Sequence, residues 1–175
     1  IGGIDVSPRV LEKAADRLKL DRLPERRREK VSLFQSSLVY RDARLKDYDA
    51  CICVEVIEHM DLERIPVFER VLFGYTHPRL VIVTTPNIEY NKKFETLAAG
   101  KLRHGDHRFE WTREQFESWA NNVADQYQYS CVFAPIGPVD EELGPPTQMC
   151  VFTAAELEAE LTPAPKASGS KGLEA

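Results

Sequence analysis

The segment YDACICVEV, at residues 48–56, is a mainly apolar run with the length of one buried β-strand. A second run of the same kind, RLVIVTT at residues 79–85, ends at Pro86 and Asn87. Between the two runs, residues 62–75 place apolar side chains at helical spacing, with Pro66 near the start. Strands that alternate with helices are typical of a parallel sheet. We therefore predict an α/β fold with a parallel sheet and helices on both faces.

The rest of the chain contains further elements of the same types. Strands are predicted at residues 1–5, 31–34, 129–133 and 148–153. One helix should follow Ser7, with Pro8 at its first position, and another should follow the capping box of Thr112 and Gln115. Residues 88–110 are polar and irregular, which predicts a long functional loop. We expect a domain at residues 1–155 and, from its Ala, Glu, Pro, Ser, Gly and Lys content, a disordered tail at residues 156–175.

The composition argues against several classes of protein. No apolar run approaches the length of a membrane span, so none is predicted. The four cysteines form no C-x-x-C pair, which argues against a zinc knuckle, and three lie in apolar runs, as reduced core cysteines do. This use of cysteine predicts an intracellular location. The net charge of −5 does not indicate nucleic-acid binding, although local patches matter more than the sum.

Polar residues follow four of the predicted strands directly. They are Asp5, the pair Ser36 and Ser37, the group Glu55, Glu58 and His59, and Asn87. In open α/β sheets, ligands bind beyond the carboxyl ends of the strands. These side chains are therefore expected to lie around one site.

The sequence E-x-x-E-H at residues 55–59 is the strongest indication of chemistry. If the chain makes a helical turn after Glu55, the side chains of Glu58 and His59 lie beside it. Carboxylates favour magnesium or manganese, and an imidazole shifts the preference toward manganese or a later metal. The alternative is an exposed acidic turn before a surface helix. A carboxylate at the end of a buried strand is costly unless it is paired or bound to a cation, which favours the metal site.

His107 is a candidate for a further ligand in the polar loop, with Asp106 as a residue that orients its ring. A single histidine in a basic loop is more often solvated, which is our interpretation of His77 and His104.

Two other residues are candidates for nucleotide binding, each with an ordinary alternative. Asp5 ends a strand, where a carboxylate can accept hydrogen bonds from a ribose diol, or it is a turn residue before a helix. Ser37 can hydrogen-bond a nucleotide, but serine after a strand is also common turn chemistry.

Three segments carry a specific pattern: EVIEHM (55–60), HPRLVIVTTPNIEYN (77–91) and DHRFEWTREQF (106–116). Looser segments are GIDVS (3–7) and the S-x-x-x-x-D-x-R-L pattern from Ser37 to Leu45. Together they resemble the Hen-type small-RNA 2′-O-methyltransferases, which modify the 3′-terminal nucleotide of small RNAs. The resemblance extends from residue 1 to about residue 153.

The resemblance implies a Rossmann-like methyltransferase that uses S-adenosylmethionine. The family pattern implies a site for magnesium or manganese with the ligands Glu55, Glu58, His59 and His107. It also implies that Asp5 holds the cofactor ribose and that Ser37 lies beside the cofactor. The catalytic residue would be His59, which takes the proton of the 2′-hydroxyl, unless a metal-bound hydroxide does so.

The substrate implied by the resemblance is the 3′ end of a small single-stranded RNA. The chain is similar to the compact animal or bacterial members, and animal members act on guide RNAs held by Piwi-class proteins, which implies a cytoplasmic location. The candidates for phosphate binding are two basic groups. Our preferred group flanks His107 and comprises Lys92, Lys93, Lys101, Arg103 and Arg108; the other comprises Arg22, Arg26, Arg27, Arg28 and Lys30.

The chain departs from the family pattern at its start. Such methyltransferases begin with a central strand and a glycine-rich loop that holds the cofactor, whereas Gly2 and Gly3 belong to the next strand. We expect either unpaired edges on both neighbouring strands or altered pairing between them. We also expect weak S-adenosylmethionine binding. The alternatives are a non-catalytic product that retains RNA or partner binding and a small-molecule methyltransferase of the same fold.

Overall fold

The computed structural model describes residues 1–95, 97–98 and 100–161, in which the strands form two separate sheets. Strands β1 (Gly2–Asp5) and β2 (Ser32–Gln35) form a parallel pair. The larger sheet has the order β3-β4-β6-β5, with β3 at Ala50–Val54, β4 at Leu80–Pro86, β5 at Tyr129–Ile136 and β6 at Thr147–Ala154. The predicted α/β fold is confirmed.

The larger sheet is mixed, so the prediction of a wholly parallel sheet is wrong. Strands β3 and β4 are parallel, as predicted, but β6 is antiparallel to both β4 and β5. Residues 137–146 connect β5 to β6. A parallel pair needs a crossover of about a dozen residues or more, usually with a helix, and this connection is shorter.

The three helices predicted from the sequence begin close to the expected positions, and two helices that were not predicted are also present. They are α1 (Pro8–Leu18), α2 (Glu25–Arg28), α3 (Ile65–Glu69), α4 (Arg113–Tyr127) and α5 (Ala155–Leu161). A π-helical segment, Arg70–Thr76, continues α3, and short 3₁₀ turns span Leu20–Arg22, Ala43–Leu45, Ile57–His59, Leu62–Arg64 and Ile88–Lys93. Both hydrogen bonds of the predicted capping box at Thr112 are present.

The predicted disordered tail is wrong over its first residues, because residues 156–161 belong to α5. This segment is rich in Ala, Glu and Leu, which are strong helix formers. An ion pair between Arg79 and Glu160 also ties the helix to the start of β4. Residues 162–175 lie outside the described residues.

The core lies on one face of the larger sheet. Phe68 and Phe73 from the α3 segment and Phe116 from α4 are buried there together with Val83 and Phe152 from the strands. On the opposite face, Ile52 of β3 and Val132 of β5 are each 66% exposed. The prediction of helices on both faces therefore does not hold for the larger sheet within the described residues.

A cavity of about 980 Å³ separates β1 from β3, and residues of both strands line it. Within the described residues, each strand pairs on one edge, β1 with β2 and β3 with β4. This is the first of the two outcomes expected from the sequence, unpaired edges on both strands. The carboxyl ends of β1, β2 and β3 open into the same cavity, which Glu55 and His59 also line, whereas Glu58 and His107 are not among the described residues that line it. Among the described residues, no helix is long and apolar enough to cross a membrane.

Candidate metal centre and cofactor cavity

The E-x-x-E-H segment begins where β3 ends. Glu55 adopts a left-handed backbone conformation with φ of +52°, which turns the chain out of the strand. The next residues form the 3₁₀ turn Ile57–His59, and the fully buried side chain of Ile57 fixes this turn to the core. The predicted turn after the strand is thus present, and it directs Glu58 inward.

Three of the four predicted metal ligands come together. Glu58, His59 and His107 each offer one ligand atom, and these atoms lie within 4.8 Å of one another. The rings of His59 and His107 meet edge to face with centroids 4.9 Å apart. The structure therefore joins the turn after β3 to the polar loop at one point, as the sequence predicted.

Glu55 lies outside this group of three. Its Oε1 accepts a hydrogen bond of 3.1 Å from Thr84 Oγ1, and its backbone N–H donates to the carbonyl and the hydroxyl of Thr84. Glu55 also lines the cavity together with His59. A role of Glu55 as fourth ligand stays a prediction.

The Glu58 carboxylate has the environment of a cation ligand. Its Oε2 accepts a hydrogen bond of 3.1 Å from Thr85 Oγ1, while its Oε1 is buried without a hydrogen-bond partner among the residues that the structure describes. Burial raises the pKa of Glu58 to about 7, and the charge of Glu55 acts in the same direction. A buried carboxylate oxygen without a donor is costly unless a proton or a cation satisfies it. One carboxylate and two imidazoles form a donor set that suits manganese or a later metal better than magnesium.

The ring of His107 is oriented by Glu110, so the prediction that Asp106 does so is wrong. Nδ1 of His107 lies 2.6 Å from Oε1 of Glu110, and both side chains are buried. Asp106 is 73% exposed and lies instead beside His59, with its Oδ2 3.5 Å from His59 Nδ1. Glu110 follows His107 by three residues, a spacing that the sequence shows and that our sequence analysis did not use.

Both predicted cofactor-binding residues line the cavity and also take part in turns. Asp5 Oδ1 accepts a hydrogen bond of 2.7 Å from Ser7 N at the start of α1. Ser37 Oγ lies 3.4 Å from Val39 N. The two turn alternatives are therefore present, and the position of both side chains in the cavity is compatible with ligand binding as well.

Three members of the preferred basic group are engaged with the protein itself. The guanidinium of Arg103 is half-buried and donates to Asn87 O, Asn91 Oδ1 and Pro146 O. Lys93 pairs with Asp140, and Arg108 lies 3.8 Å from Asp61. Arg103 is thus a structural residue of the loop, whereas Lys92 and Lys101 are exposed and can reach a phosphate.

An α/β sheet with a cavity at the carboxyl ends of β1 and β3 is the arrangement expected of a Rossmann-like methyltransferase. Solved structures of similar proteins show that the chain has this fold. The methyltransferase domain of bacterial CtHen1 is 57% identical, with a TM-score of 0.78 over 87% of this chain and 77% of that chain. The chain therefore belongs to the Hen1 methyltransferase family.

Other similar proteins are larger than the matched region. The small RNA methyltransferase HEN1 is 36% identical with a TM-score of 0.80, over 89% of this chain and 20% of that chain. A small RNA 2′-O-methyltransferase of Gallus gallus is 37% identical over 161 residues, which are 87% of this chain and 42% of that protein. The chain spans about a third of the length of the rat and mouse relatives. No protein-family model matches the chain.

Proposed function

We propose that this chain carries the methyl-transfer site of a metal-dependent small-RNA 2′-O-methyltransferase that modifies the 3′-terminal nucleotide. The observation that carries the proposal is that His59 and His107 converge on the buried carboxylate of Glu58. Oε1 of this carboxylate has no hydrogen-bond partner among the described residues. The names of the similar proteins support the reaction, since they are small RNA 2′-O-methyltransferases. The metal requirement and the 3′-terminal specificity rest on the site.

Glu58, His59 and His107 would hold the cation, with Glu55 as the fourth ligand. Such a cation would act as a Lewis acid toward the hydroxyls of a terminal ribose and would lower the pKa of the 2′-hydroxyl. His59 is the proposed proton acceptor, because its side chain is 39% exposed and lines the cavity whereas His107 is buried. A neutral imidazole has a single free electron pair, so His59 can accept the proton only while that pair does not bind the cation, and the two proposed roles of His59 are alternatives.

Asp5 and Ser37 would bind S-adenosylmethionine at the opposite side of the same cavity. A carboxylate at the end of β1 can accept hydrogen bonds from both hydroxyls of the cofactor ribose. Ser37 lies just after the neighbouring strand β2 and lines the same cavity. The exposed Lys92 and Lys101 would bind the RNA backbone. A Piwi-class partner and a cytoplasmic location are further parts of this proposal and rest on the family resemblance.

The test is methyl transfer to two matched RNAs with S-adenosylmethionine and Mn²⁺ in excess. An RNA with free 2′- and 3′-hydroxyls should be methylated, and the same RNA with a 3′-phosphate should be inert. Glu58→Gln should abolish transfer, whereas Glu63→Gln, on the neighbouring exposed turn, should not change it. Equal methylation of both RNAs would contradict the proposal, since a diol-binding cation requires the free 3′ end.

One observation favours a second function. The facing edges of β1 and β3 are separated by the cavity, and no strand of the described residues lies between them. The second candidate is therefore that these 175 residues on their own bind RNA without transferring a methyl group. In that case RNA binding should persist while saturating cofactor produces no methylation.

A further inference from the structure

The segment TTPNIEYN, residues 84–91, connects strand β4 to the candidate metal ligands through hydrogen bonds. Thr84 donates to Glu55, and Thr85 donates to Glu58. Asn91 reaches His107 indirectly, because its amide donates to Glu110, which in turn contacts His107. Side chains from one continuous segment thus hold residues of two distant loops.

Glu110 is the central residue of the second connection. Its side chain is fully buried, and three nitrogen atoms contact it. Oε1 lies 2.6 Å from both Arg103 N and His107 Nδ1, and Oε2 accepts a hydrogen bond of 2.5 Å from Asn91 Nδ2. The backbone N–H of Arg103 and the amide of Asn91 are donors, and the carboxylate offers only oxygen acceptors to Nδ1 of His107.

This arrangement determines the tautomer of His107. An ionised carboxylate can only accept, so the proton of the neutral imidazole must lie on Nδ1. Nε2 then carries the free electron pair and is the nitrogen left for the group of Glu58 and His59. Histidine ligands in metal sites commonly donate their other N–H to a carboxylate in this manner, which also strengthens them as ligands.

We propose that Glu110 is a positioning residue of the metal centre, which fixes the tautomer and orientation of His107 and is itself held by Asn91 and the backbone of Arg103. The proposal deepens the proposed function and rests on it for the identity of the ligand. It assigns a role at the metal centre to Glu110, which is not itself one of the proposed metal ligands. Arg103 supports Glu110 twice, through its backbone N–H and through its guanidinium contacts to Asn91 Oδ1.

Glutamine at position 110 separates positioning from packing, because it keeps the shape of the side chain. Its amide has one acceptor oxygen, whereas the site presents donors to both oxygens of Glu110. If the NH₂ group faces His107, the imidazole must move its proton to Nε2 in order to accept, and Nε2 can then no longer bind a cation. If the NH₂ group faces Asn91, two donors confront each other and the loop loses a buried hydrogen bond.

The test uses the full 175-residue chain, with Mn²⁺ alone as the probe. Glu110→Gln should weaken Mn²⁺ binding in calorimetric titration by about 10- to 100-fold. The matched control is Glu69→Gln, since Glu69 is a half-buried carboxylate that accepts a hydrogen bond from Trp119 Nε1 away from the site. Glu69→Gln should bind Mn²⁺ like the wild type. Equal affinity of Glu110→Gln and the wild type would overturn the proposal.

A second measurement is independent of any variant and of the metal. Long-range ¹⁵N–¹H correlation spectra of the metal-free wild type report which nitrogen of each histidine carries the proton. His107 should carry it on Nδ1, and a proton on Nε2 would overturn the proposal even if Glu110→Gln did not fold. A wild type that binds no Mn²⁺ would contradict the proposed function, while the tautomer measurement would still decide the role of Glu110.

Discussion

The hydroxyl of Thr85 donates a hydrogen bond to Oε2 of Glu58, while Oε1 of the same carboxylate is buried and no other described residue forms a hydrogen bond with it. The two oxygens therefore have different roles. One holds the side chain against β4, and the other is free for a cation. The hydrogen bond from Thr85 of β4 therefore holds the Glu58 carboxylate in place.

Thr85→Val tests this relationship with a side chain of nearly the same shape. The variant leaves both oxygens of Glu58 without a donor, so the metal-free protein should lose about 1–3 kcal/mol of unfolding free energy. Chemical denaturation in the presence of a chelator measures this loss. Thr153→Val on the half-buried outer face of β6 is the control and should change stability by less than about 0.5 kcal/mol. Equal stability of the two variants would contradict the role of Thr85.

The raised pKa of Glu58 predicts an unusual dependence of stability on pH. The folded-state pKa of about 7 lies above the ordinary value of 4.5, so the metal-free native state binds the proton more tightly than the unfolded chain does. Between these two values, ionisation destabilises the native state as the pH rises, by at most about 3 kcal/mol. In chelator, the wild type should lose stability relative to Glu58→Gln from pH 5 to pH 8. A difference between the two proteins that stays constant with pH would refute this prediction.

His107→Ala should have a much larger effect on metal binding than His104→Ala. His107 is buried within the group of three ligands, whereas His104 is exposed, lies outside that group and meets the His107 ring edge to face with centroids 5.2 Å apart. We expect the affinity for Mn²⁺ to fall by more than about 100-fold in the first variant and by less than about threefold in the second. Similar losses of Mn²⁺ affinity in both variants would contradict the role of His107 as a ligand and would indicate that the loop as a whole determines Mn²⁺ binding.

Local patterns were sufficient to predict the elements that surround the site. The apolar runs of β3 and β4, the capping box at Thr112 and the turn with Glu58 all depend on neighbouring residues, and each is present. The meeting of His59 with His107 was predicted from the family resemblance, because no local pattern relates the two loops.

Other features depend on contacts that a linear pattern does not contain. Asp106 is adjacent to His107 in sequence, but Glu110 reaches Nδ1 because burial of the loop turns its side chain inward. Arg103 looked like a phosphate ligand from its charge, but three acceptors of the protein surround its guanidinium. The antiparallel direction of β6 follows from the short connection 137–146, whereas the predicted strand bounds left a longer connection because both strands extend further than predicted.

Arg103→Lys should destabilise the protein, because lysine cannot reach the separate acceptors Asn87 O, Asn91 Oδ1 and Pro146 O with one planar group. We expect a loss of about 2–3 kcal/mol in unfolding free energy, measured by chemical denaturation. Lys101→Ala is the counterpart on the same loop and should leave stability unchanged while it weakens RNA binding and reduces the dependence of that binding on salt. If Arg103→Lys has unchanged stability but binds RNA more weakly, the result would contradict the structural role and support the original prediction that Arg103 binds phosphate.

Cofactor binding by the 175-residue chain is the remaining test of the cavity. The edges of β1 and β3 that face the cavity pair with no strand of the described residues, so one side of the proposed cofactor site is open. We therefore expect weak binding of S-adenosylmethionine in calorimetric titration, which the excess of cofactor in the transfer assay overcomes, and this binding should be lost in Asp5→Asn. Asp16→Asn on the exposed side of α1 is the control, since it changes the charge equally without touching the cavity. Micromolar binding by the wild type would show that β1, β2 and β3 suffice to hold the cofactor.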